Sequence, residues 1–433
     1  MKIGLEVHVA LPTRSKLFCS CSTEAAEPNS SICPICMGFP GSKPMLNRGA
    51  VEAAMGIANA LHCPINRGIS FVRKVYFYPD LPKSYQITQM EGAVGSNGYL
   101  AIGEKRIRIR RVQIEEDPAQ IIRDGALTLI DFNRSGTPLV EIVTEPDISS
   151  EEEMRSFISS LRSMLYYLGV DINKEIKADV NISMAETRVE VKNVTGIKNM
   201  IETLRFEIER QTELIRAGEE IARETRGYNE KSKSTQTLRE KESDEEYGYV
   251  FEPDLTVFDI AELKFNEPVY ANDVAVGLAN GTDVSPRTVS EIIMLDRDSL
   301  RQIERLRGRH SLRSIIHGIE RYKKYGRAGR VADKVLDNIV LLIEEGKEVP
   351  KEAIVDLESG KEARVEYSQL SDEQLDELIN KYLEENPALV REYVKQPKTI
   401  NLIIENIARG NGLHPKEVAR KLMPILAKVA EGK

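Results

Sequence analysis

Two sets of side chains near the start of this chain have types and spacings that can do chemistry. Cys19, Cys21, Cys33 and Cys36 form a C-x-C-x11-C-x2-C pattern. Four thiolates so spaced suit one tetrahedral zinc ion, the loop between the pairs folding back to close the site. Two disulfides are the alternative that spacing alone leaves open. The second set is acidic: Glu6 with His8 two residues on, the run Glu115-Glu116-Asp117, and Glu141 inside the apolar stretch Leu139 to Val143. A four-cysteine knuckle supplies a brace but no reaction, so the chemistry belongs to these carboxylates.

Strand alternation decides which of them can meet. If Leu5 to Ala10 is a strand, Glu6 and His8 face one side while Leu5, Val7 and Val9 pack on the other. The same spacing also describes the solvated face of an amphipathic strand. Glu115 and Glu116 point oppositely along a strand that begins at Ile107, so at most one of them joins Glu6 directly. An acidic triplet followed by a proline is otherwise a solvated turn. Glu141 shares a face with Leu139 and Val143, and a carboxylate in that setting requires solvent, a partner or a cation.

The elements that must position these groups read as α+β. Strand-like runs recur at Tyr99 to Ile102 and Ile107 to Ile114, broken by Gly and Pro. Glu151 to Leu168 carries Met154, Phe157, Ile158, Leu161, Leu165 and Leu168 at helical spacing behind a Ser150 cap. Lys177 to Val191 alternates as a hairpin does, and Ile197 to Ala217 is a helix closed by Gly218. Asn229 to Glu246 is charged and polar, with few groups to anchor it in a core. Beyond Leu255 the pattern turns helical. Arg301, Arg305, Arg309 and Arg313 recur every fourth residue and would share one helix face, with Lys323 and Lys324 following. A small helical tail from Gln369 is punctuated at Ser371, Pro387, Pro397 and Gly410.

At 433 residues the chain exceeds one comfortable core, and three domains are expected: 1–255, 256–368 and 369–433. No apolar run reaches the roughly 18 residues of a membrane span, and the start lacks a basic segment with an apolar run and cleavage site. A cytoplasmic protein with no membrane association follows. The formal net charge of -8 does not advertise a nucleic-acid binder, but local basic stripes remain compatible with one. Cys63, outside the knuckle, reads as a small buried side chain.

Several phrases then occur in a telling order: Gly4-Leu5-Glu6-Val7-His8, Tyr78-Pro79-Asp80-Leu81-Pro82-Lys83, Glu115-Glu116-Asp117, Asp131-Phe132-Asn133-Arg134-Ser135-Gly136, Glu141-Ile142-Val143-Thr144-Glu145-Pro146-Asp147, Arg188-Val189-Glu190-Val191-Lys192-Asn193 and Phe251-Glu252-Pro253-Asp254-Leu255. In these the chain resembles the B subunits of the glutamyl/aspartyl-tRNA amidotransferases, the GatB family, through most of residues 3 to 255. The resemblance implies a glutamine synthetase-like α+β catalytic domain, an all-helical connector and a YqeY-like helical tail. It also implies an activity. ATP and Mg²⁺ phosphorylate the side-chain carboxylate of Glu-tRNA(Gln), and of Asp-tRNA(Asn) in many organisms, and ammonia displaces the phosphate. Ammonia comes from glutamine through a partner A subunit, and a small C subunit completes the complex.

Phosphorylation makes an acyl phosphate from a poor electrophile, which calls for a cluster of hard oxygen ligands around Mg²⁺. The resemblance places Glu6, Glu116 and Glu141 first in that set, with His8 and Glu115 next. Gln113 stands where family members commonly carry a histidine. Lys83 and Arg134 are candidate phosphate contacts, with surface ion pairing the competing role. Tyr76, Tyr78 and Tyr85, around two prolines, can stack on the terminal adenosine of tRNA or pack their own loop. The basic residues from Arg301 to Lys324 can follow a tRNA backbone or be a solvated face. No P-loop occurs, and no Ser-Ser-Lys glutaminase arrangement is recognisable. Two other functions fit less of the pattern: a non-catalytic zinc-stabilised tRNA-binding scaffold, and an ATP-dependent kinase or ligase acting on a small carboxylate.

Overall fold

The computed structural model describes residues 1–171, 176–240, 248–327 and most of the remainder; residues 172–175, 241–247, 328, 348, 364–369, 397, 398, 412, 414, 432 and 433 are not described. The expected connector–tail boundary at 368/369 and the break at Pro397 therefore lie outside the described residues. The chain forms two compact units, Met1–Val274 and Ala275–Lys433.

The first unit is built on β1 (Lys2–Ala10). Then follow α1 (Arg48–Ala60), β2 (Gly68–Ile69), β3 (Val72–Val75), β4 (Tyr85–Thr88), β5 (Gly95–Ile102), β6 (Lys105–Glu116), β7 (Gln120–Asp124), β8 (Leu127–Asp131) and β9 (Pro138–Thr144). The unit continues through α2 (Glu151–Tyr167), β10 (Lys177–Ser183), β11 (Val189–Thr195), α3 (Ile197–Ala217), β12 (Glu224–Asn229), β13 (Ser234–Glu240), β14 (Gly248–Phe251) and β15 (Phe258–Asp259). Eight strands form one sheet in the order β13-β12-β11-β10-β1-β9-β6-β5, antiparallel except for the β11–β12 pair. The mixed α+β architecture agrees with the expectation.

Alternation along β1 sets the two faces of the sheet. Ile3, Leu5, Val7 and Val9 are buried and stand opposite Ile182, Val180, Ala178, Ile142 and Val140 on the flanking strands. α1, α2 and α3 lie against this sheet, so the apolar residues at even spacing become one continuous core. The helices begin and end where local chemistry requires. The Ser150 hydroxyl accepts from Glu153 N–H, and three glutamates occupy the first turn of α2. Gly218 closes α3 in the left-handed conformation, with Glu219 N–H returning to the Leu214 carbonyl. Leu255 and Ile260 are buried in the same core and β15 pairs with β2, so this unit continues past residue 255.

Of the polar stretch after Asn229, Ser234–Glu240 proves to be sheet, and residues 241–246 lie outside the described residues. β13 pairs with β12, and its anchors are polar ones. Glu207 of α3, fully buried, takes the Arg210 guanidinium at 2.8 Å and the Arg226 guanidinium at 3.1 Å and accepts from Thr235. Arg226 also reaches Glu224, which accepts from Thr237 at 2.6 Å. Charges satisfied by one another do at this edge what aliphatic contacts do at the centre.

The second unit is helical: α4 (Ala271–Ala279) spans the division, followed by α5 (Pro286–Ile293), α6 (Arg297–Leu306), α7 (Leu312–Tyr325), α8 (Asp333–Glu344), α9 (Lys351–Glu358), α10 (Asp372–Glu385), α11 (Pro387–Lys395), α12 (Ile400–Asn411) and α13 (Pro415–Glu431). Two further expectations need correction here. Arg301, Arg305, Arg309 and Arg313 do not share one helix, because α6 stops at Leu306 and Ser311 caps a new helix by accepting from Ser314 N–H. Gly410 breaks nothing, since α12 runs through it. Ser371 and Pro387 do act as helix starts, the first through a capping box with Gln374. Leu375, Ile379, Ile403, Ile407, Leu422 and Leu426 give α10 to α13 their own apolar cluster. Among the described residues no helix is long and apolar enough to cross a membrane.

Glu207→Ala, which leaves Arg210 and Arg226 to share Glu224 as their one carboxylate among the described residues, is expected to lower unfolding free energy by about 3–5 kcal/mol, read from urea denaturation midpoints. A change below about 1 kcal/mol would show that the edge network contributes no more than surface pairs.

Candidate active site and metal centre

The face of the sheet opposite the helices carries the polar residues of the same strands. Register places His8 opposite Glu141 and Glu6 opposite Asp179, with Gln113 beside Glu141 and Glu190 beside Asn181. Two groups of potential ligands result, each with its atoms within 4.8 Å of one another: His8, Glu115 and Glu141, and Glu6, Asp179 and Glu190. Because Glu6 and His8 are two residues apart on β1, the groups adjoin on one surface.

Of the expected acidic set, Glu6, His8, Glu115 and Glu141 lie on this face. Glu116 does not. It follows Val112 and Ile114 in the alternation of β6, on the opposite side from Gln113 and Glu115. There its buried carboxylate takes the Lys83 ammonium at 2.6 Å and the Ile87 N–H at 2.8 Å. Lys83 is consequently an ion-pair partner within the β3–β4 loop. Gly38, just after the cysteine knuckle, leaves room for it: a Cβ at that glycine would meet Lys83 Cγ at 2.4 Å. Arg134 pairs with Asp117 at 3.1 Å and donates to the carbonyls of Pro118 and Ala119, pinning the chain just after Glu116.

The charges on the open face are strongly coupled. Glu141 is pushed up to about 7 by burial and then by the neighbouring charge of Glu115. Burial alone would lower His8, but its bond to Glu115 at 3.0 Å and the charges of Glu115, Glu141 and Asp179 carry it up to about 10. Burial likewise opposes the charge on Lys192, which Asp179 at 3.0 Å and Glu190 at 2.7 Å hold protonated well above its ordinary value. A bulge in the β10–β11 pairing assists: Asn193, at φ 54°, turns its N–H onto Asp179 at 2.7 Å. Gln113 bridges the face as a neutral group, donating to Glu141 at 2.7 Å and accepting from Arg111 at 2.6 Å. Asn181 donates to Glu6 at 3.4 Å and keeps its own side-chain carbonyl buried without a partner.

Asp179, Asn181 and Glu190 were not among the ligands expected from the sequence, although Glu190 stands in the phrase Arg188 to Asn193. Their signal was the alternation of the Lys177 to Val191 hairpin, which repeats the pattern of Glu6 and His8 on the neighbouring strands. Such a set of hard oxygens with one imidazole suits divalent cations of the Mg²⁺ or Mn²⁺ type.

The aromatic and basic candidates lie elsewhere. Tyr78 and its neighbour Phe77 are exposed on the β3–β4 loop. Tyr76 lies under Lys74, while Tyr85 is half-buried beneath Arg73 and Lys83. In the helical unit Arg301 and Arg305 pair with Asp333, Arg309 with Asp337, Arg313 with Asp283 and Lys323 with Asp296. Lys324 lies over the Tyr325 ring. The basic stripe is thus interleaved with acids.

All five cysteines are free thiols, and Cys63 is buried. The sulfurs of Cys19, Cys21, Cys33 and Cys36 lie within 4.8 Å of one another, Cys33 and Cys36 at 3.9 Å. A tetrahedral zinc site with bonds of ~2.3 Å has S···S edges of roughly 3.8 Å, so the four fit that ion. The bond from Cys19 lowers Cys36 to about 4 against the effect of burial, helped by the backbone at Cys33 and the Lys16 ammonium. Cys19 is pushed well up by the same bond and by burial. Purified protein is expected to hold about one zinc per chain after Mg²⁺ has been removed, measured by atomic emission. Fully active, zinc-free protein with four reduced thiols would contradict the assignment.

Comparison with known proteins identifies relatives of this chain. The family model described as the GatB/GatE catalytic domain matches residues 1–266. The chain is 47% identical over 269 residues to the B subunit of an aspartyl/glutamyl-tRNA(Asn/Gln) amidotransferase from Methanoregula boonei, covering 58% of this chain and 56% of that protein. The counterpart from Saccharolobus solfataricus is 47% identical over 277 residues, 60% of this chain and 59% of its own length. That of Thermus thermophilus is 44% identical over 265 residues, 58% and 56% respectively. The matched region thus spans less than two thirds of these relatives, and residues 1–266, matched by the family model, contain the knuckle and both ligand groups. With a catalytic-domain match across more than half its length, the chain belongs to the GatB/GatE family.

Proposed function

We propose that the open face of the sheet is a phosphorylation site for the side-chain carboxylate of a misacylated tRNA, and that ammonia then displaces phosphate to leave the amide. Glu-tRNA(Gln) is the first substrate and Asp-tRNA(Asn), of the same chemistry, the second. The observation that carries this reading is the convergence of His8, Glu115, Glu141, Glu6, Asp179 and Glu190 on one face, in a chain of a family whose relatives are named for such an activity.

A carboxylate resists ammonia because its carbon is shielded by negative charge and oxide is not a leaving group. Phosphorylation removes both obstacles, and Mg²⁺ held by the ligand groups would offset charge on ATP and on the transferring phosphoryl group. Glu115 takes the place expected of Glu116 in this set. Lys192, anchored between Asp179 and Glu190, presents a fixed positive charge beside the acidic face. Lys83 and Arg134 act as supports, through Glu116 and Asp117 respectively. Exposed Tyr78, with Tyr76 and Phe77 on the same loop, offers the stacking surface for the terminal adenosine. Tyr85 supports that loop from beneath. Arg301, Arg305, Arg309, Arg313, Lys323 and Lys324 supply secondary phosphate contacts, since most already serve ion pairs. Ammonia comes from glutamine through an A-type partner, with a C-type subunit completing a cytoplasmic complex.

Reconstitution with A and C subunits, ATP, Mg²⁺, glutamine and separately charged Glu-tRNA and Asp-tRNA tests the proposal. Amide formation should require ATP and fall on the order of 10³-fold in Glu6→Ala and in Glu141→Ala, with the partner's glutaminase intact. Wild-type activity in both variants would contradict it, and tRNA-independent turnover would favour a small-carboxylate ligase.

Proton competition gives a second test. A cation needs Glu141 and His8 deprotonated, and these sit at about 7 and about 10 without it. Mn²⁺ affinity should therefore rise about tenfold per pH unit above 7, as His8 releases its proton, and more steeply below 7, where Glu141 releases a second. Calorimetric titrations between about pH 6 and 8 check this; a pH-independent affinity would remove His8 and Glu141 from the ligand set.

A further inference from the structure

Lys16 is fully buried, one of the largest side chains among the described residues to be so completely enclosed. Lysine is almost never found in that state without a partner, since a buried ammonium loses its hydration. No carboxylate among the described residues pairs with it. Its Nζ donates instead to Cys36 Sγ at 3.6 Å and to the Phe132 carbonyl at 3.3 Å. Cys36 Sγ also receives the Cys33 backbone N–H at 3.2 Å.

The backbone holds the lysine in this position. Lys16 N–H bonds the Cys21 carbonyl at 2.9 Å, and the Leu17 N–H bonds the Gly136 carbonyl at 2.8 Å. Gly136, at φ 84°, lies against the aliphatic stem: a Cβ there would come to 3.5 Å from Lys16 Cδ and 3.6 Å from Cys36 Cβ. The stem is thus enclosed between the knuckle and the Phe132 to Gly136 turn, and the ammonium faces both.

We propose that Lys16 is the buried counter-cation of the zinc knuckle and the residue that ties the loaded knuckle to the turn carrying Arg134. Four thiolates around one Zn²⁺ leave two negative charges uncompensated in a low-dielectric setting, and an ammonium bonded to one of the sulfurs offsets one of them. The same ammonium fixes Phe132. Asn133, next in the chain, accepts from Ser31 N–H of the knuckle loop at 2.7 Å, and Arg134 clamps Asp117 just past the end of β6. Lys16 is therefore a positioning residue, outside the reacting groups. Its role rests on the zinc assignment and not on the phosphorylation reading.

The test uses full-length protein and needs no catalytic assay. Zinc release to a chromogenic chelator is timed in wild type, Lys16→Met and Lys16→Gln, and the Co²⁺-substituted forms are examined for the thiolate-to-metal charge-transfer band. Lys16→Met should release zinc ~10–100-fold faster while its Co²⁺ band still reports four sulfur ligands; Lys16→Gln, which keeps a neutral donor, should fall between. Zinc release from Lys16→Met at the wild-type rate would overturn the proposal. If the Met variant does not fold, Lys16→Gln decides: faster release supports the counter-cation, and an unchanged rate overturns it. Wild type that binds no zinc would instead sink the zinc assignment itself.

Discussion

Five carboxylates share one face of one sheet, and the rest of the first unit is arranged to tolerate them. Two like charges 4 Å apart repel by about 4 kcal/mol at an effective dielectric of 20, so such a face is stable only if protons, lysines or metal cations occupy it. In the structure His8 and Lys192 take that part, and Glu141 is pushed toward its neutral form. The conflict makes the face receptive to a divalent cation, because each proton or ammonium there holds its place against a stronger competitor. The cost is offset on the opposite face, where the same strands bury a continuous aliphatic core under three helices.

The periphery of the sheet fixes the position of β6, the strand that brings Glu115 to the site. Glu116 and Asp117, the two acids that follow Glu115, are held by Lys83 and Arg134. Lys83 lies against Gly38, just after the knuckle, where any side chain would collide with it, and the Arg134 turn contacts the knuckle loop through Asn133. The zinc-type site thus has a structural task close to the acidic face without contributing to it directly.

Much of this was legible beforehand. Period-two alternation placed Glu6 and His8 together and identified β1, and caps at Ser150 and Gly218 delimited α2 and α3. What could not be read was the parity of Glu115 and Glu116. Two adjacent acids at a strand end differ only by register, and register is set by pairing with β9 over a bulge between Ile109 and Arg111. Asp179 and Glu190 were hidden for a related reason: they reach Glu6 only through strand pairings between segments far apart in the chain. The basic stripe misled because regular four-residue spacing ignores a cap. Ser311 ends the periodicity, and aspartates of other helices and of the α4–α5 connection neutralise the arginines. The polar segment after Asn229 misled because its anchors are ion pairs and threonines, which hydrophobic patterning does not register.

The central claim is that the open face, with Glu115 and without Glu116, holds the catalytic cation. It is tested most directly by electron paramagnetic resonance titration of Mn²⁺ into the wild-type protein and into Glu115→Gln and Glu116→Gln. Glu115→Gln is predicted to lose the bound-Mn²⁺ signal while Glu116→Gln, once folded, keeps it at wild-type affinity. Loss in Glu116→Gln with retention in Glu115→Gln would contradict the claim.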